Sequence, residues 1–338
     1  MEEQTTPIIT PHIYESYKDP DAHVHTVGEA IDQALTELEE WQVRTSLPGI
    51  PSGFPSIDNI TMGWKTGEFI IIAGRPSTGR TTLALNMMRN AAVDHLVPSL
   101  YFSFGVSADS LARKMTIAES GLNSDAMHGS RKLEVYEWEQ LETKLKALSK
   151  APIYIDDAIR LTTDDIGEVI MKATREKGVR LVLIDDFNSI TTPIDYRGNK
   201  EAEMSNIALE LKRIAREQNV VIIAIAMLSR NSVNNYGRNG ASRPQLSDLK
   251  DTSALENNAD KIFFIHRPDY MGLSENPEDI EKAILILAKN RSGDTRDINL
   301  KFKPEHCMFV EAEESLDYIS ASPIKSSING YDFGNSDF

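Results

Sequence analysis

One short segment combines glycines, hydroxyls and a cation at a spacing that suits phosphate binding. It runs Gly74-Arg75-Pro76-Ser77-Thr78-Gly79-Arg80-Thr81 and follows the pattern G-x-x-x-x-G-K-[ST], except that arginine occupies the lysine position. Main-chain N–H groups of such a loop form a concave anion site with the start of the next helix. The segment predicts an ATP site built from Gly74, Pro76, Ser77, Thr78, Gly79, Arg80, Thr81 and Thr82.

Arg80 keeps the positive charge expected at its position but changes the shape of the cation. A lysine ammonium is compact, whereas a guanidinium is wide, planar and restricted to fixed hydrogen-bond directions. We expect nucleotide binding to weaken without vanishing, and hydrolysis to suffer more. The alternative is that Arg80 reaches the phosphates from a slightly shifted loop.

A carboxylate at the end of an apolar run supplies the second half of a nucleotide site. Leu181-Val182-Leu183-Ile184 leads directly into Asp185 and Asp186. We expect Asp185 to hold Mg²⁺ through water, and the Thr81 hydroxyl to bind the same ion. One cysteine and seven scattered histidines show no spacing typical of another metal site. The predicted cofactors are therefore ATP and Mg²⁺.

Apolar runs and amphipathic segments alternate from residue 66 onward, which predicts an α/β fold with a mostly parallel sheet sandwiched by helices. A helix is predicted from the apolar stripe that begins at Met204, and another over Ser130 to Ser149. The predicted strands are Phe69–Ala73, Leu100–Phe104, Ile153–Ile155, Leu181–Ile184, Val220–Ala226, Ile262–His266 and Ala283–Ala288.

Composition narrows the class of protein. The 338 residues include 41% hydrophobic and 26% charged residues, and the net charge is −15. There is no uncharged apolar run of the ~20 residues that a membrane span needs, and residues 1–4 lack the features of a signal peptide. We therefore expect a cytoplasmic protein. The acidity argues against broad coating of nucleic acid, but not against a ring whose basic loops line a pore.

Four segments are predicted along the chain. Residues 1–25 are a flexible lead segment, 26–46 a linker helix, 47–315 the ATPase domain and 316–338 a disordered acidic tail. Thr26 and Glu29 have the spacing of a capping box, and an apolar stripe follows them. That stripe either folds back on its own domain or docks on a neighbouring subunit.

Five collinear segments give the chain a specific family resemblance. It resembles the RecA-like motor domain of DnaB-type replicative helicases, without a counterpart of their N-terminal collar domain. The resemblance implies an ATP-dependent DNA helicase that forms rings, with the linker helix (residues 26–41) joining subunits into a homo-oligomer. A hexamer is the candidate ring size. The matching segments are Gly53 to Asp58, Met62 to Glu68, Arg75 to Gly79, Ser247 to Asp260, and Lys289 to Gly293.

The resemblance also assigns roles to individual residues. Arg291 would be an arginine finger that reaches a neighbour's γ-phosphate, with Lys289 beside it; the alternative is a surface charge pair. Two Gly/Asn/Arg-containing loops correspond to pore segments that grip single-stranded DNA, although such loops are also common as solvated turns. Their candidate contact residues are Arg197, Gly198, Asn199, Lys200, Arg238 and Arg243.

Three positions depart from the family pattern, and all three belong to the catalytic machinery. Arg80 replaces the lysine, Gly105 stands where a glutamate activates the attacking water, and Met227 stands where a glutamine senses the γ-phosphate. Asp186, next to Asp185, is a candidate replacement acid; the alternative is that it is a solvated or helix-capping aspartate.

Two functions follow from this pattern. The first is an ATP-binding scaffold or weak translocase of DNA replication with a degraded hydrolysis site, and the alternative is an active helicase that uses Asp186. A third possibility is that the chain joins rings of a complete helicase. The tail, which ends in Phe338, is a candidate docking peptide for a replication protein; the alternative is an inert solvated end.

Overall fold

The structure, a computed structural model, describes residues 26–43, 47–122, 124–127, 129–228, 243–270 and 279–312. The predicted lead segment and acidic tail lie outside these residues. The chain divides into two units, Met1–Pro48 and Gly49–Phe338. None of the described helices is both long and apolar enough to cross a membrane.

The first unit contributes one described helix, α1 (Val27–Val43). It begins with the capping box expected from the sequence, in which the Glu29 amide donates to Thr26 Oγ1 at 3.2 Å. In return, the Thr26 amide donates to Glu29 Oε2 at 2.7 Å. These two bonds satisfy main-chain donors at the start of the helix. Its apolar stripe includes side chains that are at least half exposed, namely Val27, Ile31, Leu35 and Leu38.

The second unit is built on a sheet whose strands run in the order β3-β2-β4-β5-β1-β6-β7-β8-β9. The neighbours from β3 to β6 pair in parallel, and those from β6 to β9 pair antiparallel. The predicted mostly parallel sheet is therefore confirmed. The strands are β1 Phe69–Gly74, β2 Ser99–Ser103, β3 Ile153–Asp156, β4 Leu181–Asp185, β5 Val221–Met227, β6 Lys261–His266, β7 Lys282–Asn290, β8 Arg296–Lys303 and β9 Met308–Glu311.

Helices cover both faces of the sheet. Successive side chains of the buried strands point to opposite sides, so both faces present apolar side chains that need to be covered. Ile71 belongs to the core under α7 and α8, whereas Ile70 and Ile72 belong to the core under α2, α3 and α4. The helices of this unit are α2 Pro55–Thr61, α3 Arg80–Arg89, α4 Ala108–Ser120, α5 Ser124–Met127, α6 Val135–Leu148, α7 Thr163–Lys177, α8 Lys200–Glu217 and α9 Ser253–Asn258.

The apolar stripe of α8 has the burial that its spacing predicts. Its core-facing side chains are all buried: Met204, Ile207, Ala208, Leu211, Ile214 and Ala215. The helix predicted to start at Ser130 starts at Val135 instead. There the Glu134 side chain accepts from the main chain of Glu137, and the Glu137 side chain accepts from the Glu134 amide in return. This reciprocal cap fixes the start of α6, and Arg131 in the preceding segment pairs with Glu137.

Two strands were absent from the sequence prediction. β8 and β9 extend the antiparallel side of the sheet beyond β7. Along β8, the buried residues Ile298, Leu300 and Phe302 alternate with more exposed neighbours. This period of two is typical of a strand with one covered face. The two strands matter for function because Phe302 and Phe309 lie next to the phosphate loop.

Candidate functional site

The predicted phosphate loop connects β1 to α3. Gly74 is the last residue of β1, Gly79 precedes the first turn of α3, and the exposed residues Pro76 and Ser77 lie at the crest between them. Thr78 is fully buried, and its hydroxyl donates to the Arg75 carbonyl at 2.8 Å, which closes the turn.

Glycine is required at both ends of this loop. Gly79 has a φ of +97°, a left-handed conformation that favours glycine, and a Cβ there would lie 2.8 Å from the ring of Phe309. A Cβ on Gly74 would lie 2.8 Å from Thr78 Oγ1. No side chain caps the start of α3 at Gly79, so no capping oxygen occupies its first amides. The loop therefore retains the close-fitting shape and the helix N-terminus that phosphate binding needs.

Thr81 and Asp185 meet beneath this loop. Thr81 lies in the first turn of α3, and its Oγ1 donates to Asp185 Oδ2 at 2.6 Å. Thr82, the next residue, is half-buried on the same turn. Because Asp185 is the last residue of β4, the end of a parallel strand places its carboxylate at the edge where α3 starts.

A magnesium ion fits this pair when it is considered together with a nucleotide. Within the described residues, no group of three or more His, Cys, Asp and Glu side chains is placed to hold a metal alone. Mg²⁺ commonly takes one or two protein oxygens and completes its shell with waters and phosphate oxygens. The Thr81 hydroxyl would be the protein oxygen that binds the ion directly, and the Asp185 carboxylate would hold a water of its shell. The ion would neutralise phosphate charge.

Arg80 is held by a main-chain group across the site. Its Nη1 donates to the carbonyl oxygen of Ala226, near the end of β5, at 2.6 Å. Burial lowers the pKa of the Arg80 guanidinium, and the charges of Asp185 and Asp186 act in the opposite direction. The charge of Arg80 is thus compensated by the two carboxylates that follow β4.

The carboxyl ends of neighbouring strands bring the predicted positions together. Gly74 pairs with Met227 across β1 and β5. On the other side of β5, the Phe104 amide donates to the Asp185 carbonyl at 2.9 Å, immediately before Gly105. The three positions at which the resemblance predicts other residues (Arg80, Gly105 and Met227) therefore lie around one edge of the sheet, together with the phosphate loop.

Open space surrounds the position where a glutamate was expected. Gly105 is exposed, and a Cβ built on it meets no atom within 4 Å. Met227 is 45% exposed, and its amide faces Asn188 Oδ1 at 3.4 Å. Gly105 has no side chain and the Met227 thioether is apolar, so neither residue offers a side-chain group that polarises water.

Asp186 has a local structural contact. Its Oδ1 accepts from both the amide and the hydroxyl of Ser189, each at 2.9 Å, and this caps the short 3-10 turn Phe187–Ser189. Its charge nevertheless acts on Arg80, so the carboxylate belongs to the site electrostatically.

Lys289 and Arg291 lie at the opposite edge of the sheet. Antiparallel β7 ends at Asn290, which pairs with Lys261 at the start of β6, and Lys261 pairs with Ile70 near the start of β1. The length of β1 therefore separates them from the phosphate loop of the same chain. For a strand of six residues, that length is roughly 17 Å.

Both cations bind the end of α9 in this structure. Arg291 Nη2 donates to the Asn257 carbonyl at 2.5 Å, and Nη1 lies 3.5 Å from Asp260 Oδ1. Lys289 Nζ donates to the Glu256 carbonyl. Burial and the charge of Arg291 lower the pKa of Lys289. Cations are favourable at a helix C-terminus, so these contacts stabilise α9.

The first predicted DNA loop connects β4 to α8. Arg197 and Gly198 are exposed and have left-handed φ angles of 49° and 83°. Asn199 caps α8 by accepting from the Ala202 amide at 3.1 Å. Lys200, the first residue of α8, is exposed and pairs with Glu203 at 3.1 Å. The loop presents its polar groups at an exposed turn.

The second predicted DNA loop is described only at its end. Arg238 lies outside the described residues, whereas Arg243 is described and forms an ion pair with Asp297 at 2.5 Å. Arg243 also lies close enough to the buried His266 to lower its pKa, and this effect adds to that of burial. The structure therefore places Arg243 near the end of β6.

Two contacts of the site were missed by sequence reasoning. Tyr101, in the middle of β2, donates from its hydroxyl to Asp185 Oδ2 at 3.0 Å. Burial, together with the charge of Asp185, raises the pKa of Tyr101 well above its ordinary value. The other is the carbonyl of Ala226. A tyrosine between the apolar residues Leu100 and Phe102 signalled a buried hydroxyl in need of a partner, whereas nothing in the residue types signalled the carbonyl.

Sequence and structure comparisons decide the family. The family model for the DnaB-like helicase C-terminal domain matches residues 49–311, which is most of the chain. The chain belongs to the DnaB-like helicase C-terminal domain family. The RecA-like fold predicted from the resemblance is likewise confirmed, since solved ATPase domains of this family share it.

Several DnaB-like proteins are similar to most of this chain. It is 34% identical over 285 residues to a probable replicative DNA helicase from Trieres chinensis, covering 84% of this chain and 62% of that protein. It is also 34% identical over 278 residues to the replicative DNA helicase DnaB of Geobacillus stearothermophilus, covering 82% of this chain and 60% of that protein. The chain thus spans less than two thirds of the length of these DnaB relatives.

Solved structures give the same result. One solved ATPase domain superimposes with a TM-score of 0.78 at 29% identity. The match covers 86% of this chain and 100% of the chain of that ATPase domain. A second solved structure concerns a DnaB-like replicative helicase and its interactions with primase. It superimposes with a TM-score of 0.75 at 29% identity. It covers 86% of this chain and 68% of its own. The DnaB-like domain described here is therefore comparable with a complete ATPase domain.

Proposed function

We propose that this DnaB-like domain binds ATP with Mg²⁺ at its phosphate loop and hydrolyses it slowly or not at all. In this proposal it acts in DNA replication as a ring-forming, nucleotide-dependent scaffold or weak translocase. Three features support binding: a loop whose close packing requires Gly74 and Gly79, a helix N-terminus without a side-chain cap at Gly79, and the Thr81–Asp185 hydrogen bond at 2.6 Å. Together they provide phosphate and cation contacts.

The proposal that hydrolysis is weak rests on the residues that surround Asp185. Gly105, two residues beyond the end of β2, the strand that pairs with β4, leaves open space instead of a carboxylate. A positioned general base contributes about 10²- to 10⁴-fold to such a reaction. Asp186, the candidate replacement, accepts two hydrogen bonds from Ser189. A carboxylate that already accepts these two bonds is less able to accept a proton from an attacking water.

The alternative function is an active helicase that uses Asp186 as its catalytic acid. One observation favours it, because the charge of Asp186 acts on Arg80 and thus faces the nucleotide site. The two functions differ in turnover: an active helicase hydrolyses ATP faster in the presence of single-stranded DNA, whereas a scaffold binds ATP and retains it.

Arg291 is proposed to act on the nucleotide of a neighbouring subunit. Its position at the opposite edge of the sheet from its own phosphate loop favours action in trans. An arginine supplied in trans is worth about 10³- to 10⁵-fold in phosphoryl transfer. This arrangement also allows the chain to enter a ring of complete helicase subunits, where Arg291 would serve an intact site next to it.

Single-stranded DNA is the proposed partner of the two loops that carry Arg197 to Lys200 and Arg238 to Arg243. Their glycines and cations suit contacts that follow a phosphate backbone without reading bases. The helix α1 is proposed to join subunits, and the segment 330–338 to dock on a replication protein.

The experiment combines three measurements on the full chain. Fluorescent ATP analogues with Mg²⁺ measure affinity, light scattering with and without nucleotide measures assembly, and phosphate release with and without single-stranded DNA measures turnover. The proposal predicts binding, nucleotide-dependent assembly and minimal phosphate release. Absence of any affinity for ATP or ADP would refute it, and DNA-stimulated turnover would favour the active helicase.

A further inference from the structure

A buried phenol reaches the carboxylate at the centre of the proposed cation site. Tyr101 is 0% exposed and lies in the middle of β2, beside β4. It pairs with Leu183, two residues before Asp185, so the Tyr101 and Asp185 side chains leave the same face of the sheet. The long ring spans the distance along the strand, and its hydroxyl donates to Asp185 Oδ2 at 3.0 Å.

The same carboxylate oxygen is held from a second direction. Thr81 Oγ1, on α3, donates to Asp185 Oδ2 at 2.6 Å. Two hydroxyl groups from two different elements thus bind one oxygen, which fixes the rotation of the carboxylate about its Cβ–Cγ bond. Neither of these bonds uses Oδ1, which leaves that oxygen available to a water of a cation's shell.

We propose that Tyr101 is a positioning residue for the divalent cation that accompanies the nucleotide: it fixes Asp185 so that Oδ1 meets the water shell of that cation. This inference rests on the proposed function, because it needs a nucleotide with a cation at the loop. Outer partners of metal ligands typically change metal affinity about 10- to 100-fold when mutated. Since Asp185 acts through water, we expect the lower end of this range, about tenfold.

The test compares two matched tyrosine variants of the full chain. Tyr101→Phe removes the hydroxyl and keeps the ring. Tyr154→Phe makes the same change on β3, where the half-buried Tyr154 packs against the core on the opposite face of the sheet. A fluorescent ADP analogue is titrated at increasing Mg²⁺ concentrations and in EDTA. The two readouts are the Mg²⁺ midpoint and the affinity in EDTA, which depends on the phosphate loop alone.

We expect the Mg²⁺ midpoint of Tyr101→Phe to rise about tenfold, while its affinity in EDTA stays within about twofold of the wild type. Tyr154→Phe should match the wild type in both readouts. An unchanged midpoint, or an equal loss of affinity with and without Mg²⁺, would overturn the inference while leaving the proposed function intact. A wild-type protein with no ADP affinity would reject the proposed function and, with it, this inference.

A second measurement covers the case in which Tyr101→Phe does not fold. Incorporation of meta-fluorotyrosine at position 101 retains the hydroxyl and provides a fluorine NMR signal at the hydrogen bond itself. Adding Mg²⁺ to the ADP complex should shift this signal, whereas the same label at position 154 should remain unshifted. A fluorine signal at position 101 whose chemical shift does not change when Mg²⁺ is added would contradict the inference.

Discussion

The guanidinium of Arg80 donates a hydrogen bond from Nη1 to the carbonyl oxygen of Ala226, at 2.6 Å. Arg80 is the first residue of α3, and Ala226 lies next to Met227 at the end of β5. The bond therefore connects the residue at the predicted lysine position of the phosphate loop to the strand that ends at Met227, the predicted γ-phosphate sensor position. The two positions are thus linked by a hydrogen bond to the main chain of the residue next to Met227.

The variant Arg80→Lys should bind ATP more tightly than the wild type. A lysine ammonium is a compact donor that reaches phosphates as a point charge, and it is not fixed by the planar geometry that suits the Ala226 carbonyl. One charge-assisted hydrogen bond regained corresponds to about a tenfold lower dissociation constant. Titration with a fluorescent ATP analogue measures it, and Arg113→Lys on the surface of α4 is the matched control. Weaker binding by Arg80→Lys would show that the guanidinium itself serves the phosphates.

Restoring a carboxylate at Gly105 should restore hydrolysis. A side chain fits there, because a Cβ built on Gly105 meets no atom within 4 Å. The variant Gly105→Glu should raise steady-state ATP turnover by about 100-fold, the lower range for a general base, and more when combined with Arg80→Lys and Met227→Gln. The control Gly105→Gln has the same size and cannot accept a proton. Equal turnover of the Glu and Gln variants would argue against the assigned role of this position.

The variant Asp186→Asn separates a capping aspartate from a catalytic one. Its amide oxygen can still accept from the Ser189 amide and hydroxyl, so the 3-10 turn should persist. If Asp186 only caps, residual turnover stays within about twofold of the wild type. If it is the catalytic acid, turnover falls about 100-fold or more. Ser189→Ala is the companion variant, because it removes a partner of the carboxylate and leaves the carboxylate itself.

Stability should fall as the pH drops below the ordinary pKa of histidine. Burial and the charges of Arg243 and Arg75 lower the pKa of His266 in the folded state, and the charge of Asp297 acts in the opposite direction. The unfolded chain, with a histidine pKa of about 6.5, therefore binds more protons below that pH, and the folded state loses stability there. Above it both states are neutral and the contribution is constant.

Urea unfolding near neutral pH and about one unit below the unfolded pKa of histidine measures this effect. The variant His266→Gln should lose less free energy of unfolding between the two conditions than the wild type. His95→Gln, a change at an exposed histidine, is the control and should retain the wild-type loss. An identical pH dependence of His266→Gln and the wild type would show that His266 is not the group responsible.

The parts of the site that follow from chain order were predictable from the sequence. Strand ends in a parallel sheet share one edge, so Gly74, Asp185 and Gly105 had to meet once their strands were adjacent. The buried stripe of α8 followed from helical spacing alone. Local patterns of this kind need no knowledge of distant contacts.

The parts that depend on long-range contacts were not predictable. The partner of Arg80 is a main-chain carbonyl 146 positions away, and every residue type has such a group. Tyr101 lies 84 positions from Asp185, and only the register of β2 against β4 brings them together. β8 was not predicted although its alternation is visible, and four of its eight residues are charged, a composition that is uncommon in strands. β9, which was also not predicted, supplies the Phe309 ring that leaves no room for a Cβ at Gly79.

The most direct test of this account follows the fate of ATP in a single turnover. The full chain, in excess over ATP labelled at the γ-phosphate, is mixed with Mg²⁺, with and without single-stranded DNA, and both bound nucleotide and released phosphate are measured. The account predicts that ATP is bound and remains intact in both mixtures over times in which an ordinary ATPase, at about 10 turnovers per second, would consume it. Rapid phosphate release that DNA accelerates, or no bound ATP at all, would contradict it.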